Sequence, residues 1–394
     1  MNDDDTLRRH DPDPSARLNA VLALPDDSTA CGPLLGAVGD TSLDVARAAL
    51  RRLEPIAGDA EKEALREMML TLDIGVVGDV AAALRRLGDS GAAPLAVAAL
   101  PSPLCRQKAV LALRELRDPI ARTSLIETLD DPDSAVRRLA LEALAGLPSE
   151  PATVASCRKN LGDLEPSVRA AAVTAVAVLD PAARSSLRAL VDDPQPRVRR
   201  AVAAAVPVLD DGEVTALLGD DAADVRVATL HQLVRHPRPQ LLTALLAALS
   251  DSSWQVRCAA CEALAATDRR EAAEALVRVL VDAHRTVRRW ALIALERLLG
   301  DSLEGVLERE LCSRPPPDLR RALVETLGSR GAVGHVPVLA RDPDPTVRIA
   351  VAHALAHADS PEARAALHDL AVDPDSVVRN AAAVVLQAAH DREG

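Results

Sequence analysis

The sequence contains no phenylalanine and no tyrosine, and only two tryptophans, Trp254 and Trp290. A globular core of ordinary thickness gains density from aromatic rings, so 394 residues without them are not expected to build one. Lysine is nearly missing too: Lys62, Lys108 and Lys159 stand against 43 arginines, a bias that reads as high-GC codon usage and that suits fixed Asp–Arg pairing. No apolar run approaches the roughly 18 residues of a membrane span. The N-terminus, Met1-Asn2-Asp3-Asp4-Asp5, is acidic where a secretory signal is basic. The six cysteines are scattered, which in a long chain of this kind points to reduced thiols and no disulfide framework. A cytoplasmic protein with no membrane contact is expected.

The formal net charge is −12, from 58 acidic and 46 basic residues, and this argues against a nucleic-acid partner, which needs a basic surface. Catalytic signatures are missing as well. No lysine lies in a phosphate-binding glycine loop, and there is no Gly-x-Ser-x-Gly, no His-Glu-x-x-His and no EF-hand loop. The chain is therefore not expected to be an enzyme or to hold a cofactor.

What is present is 48% hydrophobic residues, mostly alanine, leucine and valine, arranged in a repeat. Asp131-Pro132-Asp133-Ser134-Ala135-Val136-Arg137 is one copy of a phrase that returns along the chain. Asp stands five residues before Val in the copies at Val136, Val168, Val198, Val225, Val256, Val287, Val347 and Val378. With Cys105 and Leu319 in the Val position, the following arginines run Arg106, Arg137, Arg169, Arg199, Arg226, Arg257, Arg288, Arg320, Arg348 and Arg379, in steps of 27 to 32 residues. Counted from the Val, positions 0, +4 and +8 are aliphatic or small and share one helical face. This is a second helix, B, behind an acidic turn. A shorter apolar segment before each turn, such as Ile120–Leu129, Leu241–Leu249 or Ala272–Leu280, makes a first helix, A.

About 31 residues leave room for two short helices and two turns. One such pair cannot bury its apolar face alone, so neighbours must stack. The turn Asp can accept the unpaired N–H groups of a helix start. The arginine that follows the Val is its natural ionic partner, in the same copy or the next, so ten arginines imply a ladder. The spacing predicts an all-α superhelical solenoid of about 11–12 helical hairpins, with the B helices lining one surface. Residues 1–15 read as a disordered acidic leader, 16–100 as degenerate repeats, 101–389 as regular ones and 390–394 as a tail. Pro207 should end its B helix early. Arg314 stands where Asp is expected, beside Pro315, Pro316 and Pro317, and 312–318 reads as a hinge.

Repeated Asp-x-x-x-x-Val-Arg-x-x-Ala with this period resembles the short HEAT repeats of phycobilin lyases and of many bacterial and archaeal HEAT-repeat proteins. The resemblance spans roughly 34–389 and implies the fold firmly, function far less. It allows a role in chromophore attachment or in maturation of a cofactor-bearing protein. Deoxyhypusine hydroxylases, another HEAT-repeat class, carry paired His-Glu iron ligands; this sequence has no His-Glu dipeptide.

Function is sought where copies differ. Position +2 is arginine at Arg138, Arg200, Arg289 and Arg321, and +3 is alanine in seven copies but Trp290 in one. Trp254 sits at the turn of the preceding copy. These six residues are the candidate surface for a partner protein, and the chain is expected to be a monomeric scaffold. Two weaker metal-site spacings occur: Cys258-Ala-Ala-Cys261 inside a B helix, and His353 with His357, four apart on one helix, where buried small residues and solvated side chains are the expected roles.

Overall fold

A computed structural model describes residues 11–393. Residues 1–10 of the leader, and Gly394 of the tail, lie outside the described residues; the first helix starts at Pro14. Among the described residues there is no strand, and the chain forms two compact units that meet at Asp210 and Asp211. The first carries α1 (Pro14–Leu22), α2 (Cys31–Val38), α3 (Leu43–Leu53), α4 (Asp59–Met69), α5 (Ile74–Arg86), α6 (Ala92–Ala99), α7 (Arg106–Leu116), α8 (Arg122–Glu127), α9 (Ser134–Ala145), α10 (Pro151–Lys159), α11 (Pro166–Leu179), α12 (Arg184–Leu187) and α13 (Pro196–Ala203). The second carries α14 (Asp211–Leu218), α15 (Ala223–Arg235), α16 (Leu242–Ala248), α17 (Trp254–Ala266), α18 (Ala273–Val279), α19 (Arg285–Leu299), α20 (Leu303–Cys312), α21 (Pro317–Ser329), α22 (Pro345–Ala354), α23 (Pro361–Ala371) and α24 (Ser376–Glu393).

Each unit is a helical repeat solenoid. B helices pack on the B helix of the next copy, as α7 on α9, α9 on α11, α15 on α17 and α17 on α19, while A helices such as α16 and α18 back them. The buried stripe is the one the period implies. Val136, Val168, Val198, Val225, Val256, Val287, Val347 and Val378 are buried, as are Ala140, Ala172, Ala260 and Ala291 at +4. At Thr229 the +4 hydroxyl is buried and donates to the Val225 carbonyl (2.9 Å), so a polar side chain sits in the stripe with its hydrogen bond made inside the helix. Small side chains at these positions let helices approach closely, which explains how a dense interior forms without aromatics.

Departures from regularity follow from prolines and glycines. α13 ends at Ala203 and passes into a 3-10 turn at Val206–Val208, as Pro207 requires. In the copy that begins near Pro337 the A helix is only a 3-10 turn, Pro337–Arg341. At Arg314 the backbone takes φ 55°, unlike Asp131 at φ −63° in a regular turn.

Candidate protein-binding surface

The repeated charges are built into the turns. Asp131, Asp163, Asp193, Asp220, Asp251, Asp282, Asp342 and Asp373 each accept the backbone N–H two residues on, at 2.8–2.9 Å. This Asx-turn closes the loop one step before the helix; the cap proper is the next polar residue, such as Asp133 accepting from Ala135 N (2.8 Å). The remaining carboxylate oxygens face the preceding copy. Arg137 donates Nε and Nη2 to Asp163, both at 2.9 Å, while its Nη1 donates to the carbonyls of Asp131 (2.8 Å) and Pro132 (3.1 Å) in its own turn. Arg226–Asp251, Arg257–Asp282 and Arg348–Asp373 repeat this geometry in full. Arg169–Asp193 and Arg320–Asp342 have the same forked pair, and Arg106 reaches Asp131 with one nitrogen (2.7 Å). Each rung thus joins two copies and fixes one turn at once.

Both partners are largely covered, with side-chain exposures of 12% and 6% for Arg348 and Asp373. Hydrogen bonding from Arg348, opposed by burial, holds Asp373 below the usual carboxylate range. For Asp163, Asp251 and Asp282, burial pushes upward, and the paired arginine with the turn N–H outweighs it, leaving each lowered. The repeated arginines are raised by the same hydrogen bonds.

With those charges consumed, the six candidate residues can be placed. Arg138 and Arg200 belong to the first unit. Arg138 is tied to Glu142 (2.5 Å), whose other oxygen holds Arg114 (2.8 Å), so its charge is balanced in place; Arg200 is exposed. Trp254, Arg289, Trp290 and Arg321 belong to the second. Arg289 is exposed, Trp290 half-buried, and Arg321 pairs along its own helix with Glu325 (3.3 Å). Trp254, 38% exposed, stacks on His284 of the next copy with ring centroids 4.1 Å apart and planes 8° from parallel. That contact ties two turns together and leaves one indole face outward.

The thiols of Cys258 and Cys261 are buried in α17, and burial pushes Cys261 up to about 12, the opposite of the thiolate a metal needs. Among the described residues no three His, Cys, Asp or Glu side chains could share a metal ion. His353 and His357 are not on one helix: α22 ends at Ala354 and His357 sits on the following 3-10 turn, so the i, i+4 geometry expected from spacing does not form. His357 instead lines a groove of about 540 Å³ with His368 and His390. Sequence reasoning passed over Arg288, whose turn partner is replaced by Arg314; the broken phrase at 314 was the signal that could have found it.

Stacked helical hairpins with a turn-to-turn ionic ladder define an α-helical repeat protein. Residues 211–296 and 306–387, all in the second unit, match the family model of HEAT repeats. The chain is a HEAT-like repeat protein. No curated protein matches it in sequence. Among solved structures it is similar to Kap95p, in a structure with RanGDP, at 14% identity and TM-score 0.50, covering 98% of this chain and 60% of Kap95p. A mutant of Kap121p is similar at 17% identity and TM-score 0.49, over 93% of this chain and 44% of that one. No helix among the described residues is long and apolar enough to cross a membrane.

Proposed function

We propose that the protein is a non-enzymatic scaffold that holds a partner protein on the outward positions of its B helices. The observation that carries this reading is the fate of the repeated motif. Its Asp and Arg side chains, which resemble an acid–base pair in sequence, are spent on rungs between copies. What faces solvent is the set of positions that vary from copy to copy, Arg200 and Arg289 among them, which is where a stacked-repeat protein carries recognition. Kap95p, of similar fold, binds another protein, RanGDP, and lends the reading support by analogy of fold alone. All six cysteines are unpaired, as suits a reducing compartment such as the cytoplasm, and we take the chain to work as a monomer.

The test is capture of partners on the immobilised full chain, followed by affinity measurement with Arg289→Ala/Arg321→Ala. A captured protein whose affinity falls about fivefold or more in that variant, at unchanged melting temperature, supports the scaffold. Attachment of a chromophore or cofactor to a second protein, with no stable complex, would replace it by the lyase-like role.

A further inference from the structure

One rung of the ladder is missing its acid. Arg288 keeps half of the standard geometry: its Nη1 donates to the carbonyls of Asp282 (2.8 Å) and Ala283 (3.3 Å), which fixes the guanidinium plane. In the second unit's rungs at Arg226, Arg257, Arg320 and Arg348, the other edge of that plane, Nε and Nη2, grips a carboxylate of the following turn. Arg288 has no carboxylate partner among the described residues, because the position that supplies it elsewhere is Arg314. The site is prepared for a carboxylate and is given a second cation instead.

Three further features point the same way. Arg285, Arg288 and Arg289 are exposed in the first five residues of α19, at the positive end of its dipole, where acids are normally favoured. α19 and α21 make at most a marginal contact, whereas α15 and α17, α17 and α19, and α21 and α22 pack directly, so the chain opens at this step. Arg314 also lines a groove of about 400 Å³ with Leu311, Val338, Leu339 and Pro343, in which Val338 is 78% exposed.

We propose that Arg288 and Arg314 form a carboxylate-binding site for an acidic segment of a partner protein, whose Asp or Glu side chain completes the rung. This rests on the scaffold reading and narrows it to a partner chemistry. A planar fork already held by two carbonyls matches a carboxylate with two parallel hydrogen bonds and loses little freedom on binding. A long polyanion such as nucleic acid would meet the −12 charge of the whole chain, whereas a short acidic segment meets mainly the local arginines. Arg379 supplies an internal comparison. Its Nη1 is held by Asp373 and Pro374 in the same way and it is exposed, but it has no Arg314 and no such groove beside it.

The experiment is fluorescence anisotropy of a labelled decapeptide of alternating glutamate and aspartate against the full chain at low salt. Binding is expected, with a loss of about tenfold or more in Arg288→Gln/Arg314→Gln, little change in Arg379→Gln, and an unchanged melting temperature, since neither arginine makes an internal ion pair. Arg314→Asp offers the chain its own carboxylate in a backbone conformation that Asp tolerates, and should also weaken the peptide. No peptide binding, equal binding by the double variant, or tighter binding of a single-stranded oligonucleotide lost in the same variant would each overturn the proposal. A captured partner that ignores Arg288→Gln/Arg314→Gln but responds to Arg289→Ala/Arg321→Ala would leave the scaffold standing and remove only this site.

Discussion

Gly328 offers the sharpest test of how closely these layers stack. It lies in α21, and a Cβ added there would stand 2.5 Å from the Ala354 Cβ and 2.7 Å from the Ala354 Cα of α22. The second of these is backbone and cannot swing aside. To reach ordinary van der Waals distance the two helices would separate by about 1 Å, loosening contacts along the pair. Overpacking of this kind costs about 1–3 kcal/mol, while alanine gains up to about 1 kcal/mol over glycine inside a helix. The net expectation for Gly328→Ala is a loss of about 1–2 kcal/mol, or roughly 2–8 °C in melting temperature for a unit of this size. Gly305 in α20 is the matched control, because a Cβ there meets nothing within 4 Å. Gly305→Ala should stabilise by up to about 1 kcal/mol. Calorimetry of both variants decides the point: if Gly328→Ala melts at or above the parent temperature, α21 and α22 are not in contact as described.

Lowered carboxylates make stability depend on acid in one direction. Asp163, Asp251, Asp282 and Asp373 sit below their unfolded values, so their contribution is complete above about pH 4–5 and is lost as pH falls through the folded values; melts from pH 7 to 2.5 should show a plateau and then a decline starting near pH 4. A decline that starts above pH 6 would implicate histidines instead. Thiol labelling at neutral pH should be fastest at exposed Cys312, with Cys157 and Cys261, both buried and pushed up to about 12, protected until the chain unfolds; mass-resolved alkylation with and without denaturant reads this directly.

Much of the architecture could be read from the residues because one physical requirement recurs in every copy. A helix that buries 0, +4 and +8 repeats that spacing visibly, and the turn Asp and its arginine repeat with it. Pro207 announced a short helix for a local steric reason, and α13 ends where that reason applies. The direction of the ladder was not legible. Whether Arg137 reaches its own Asp or the next depends on how copies are offset, and it does both, through carbonyls on one side and a carboxylate on the other. The His353–His357 spacing misled because helix length is set by packing: α22 stops at Ala354 although nothing in the local sequence forbids another turn. Trp254 looked equally suited to packing and to a partner, and the stack on His284 shows one face committed to packing. Arg288 could not be singled out by its own identity, since nine other arginines share its position. Only the loss of the acid at Arg314 distinguishes it.

The central claim is that the repeated Asp and Arg hold neighbouring copies together and are not themselves a site. It is tested most directly by replacing Arg137, Arg169, Arg226, Arg257, Arg320, Arg348 and Arg288 with alanine one at a time and measuring the melting temperature of each. The first six lose a largely covered, two-pronged ion pair worth about 2 kcal/mol, between exposed and fully buried pairs, and should melt roughly 4–8 °C lower. Arg288→Ala, with no carboxylate to lose, should cost under about 1 kcal/mol. Equal shifts in all seven, or no shift in the six, would contradict the ladder.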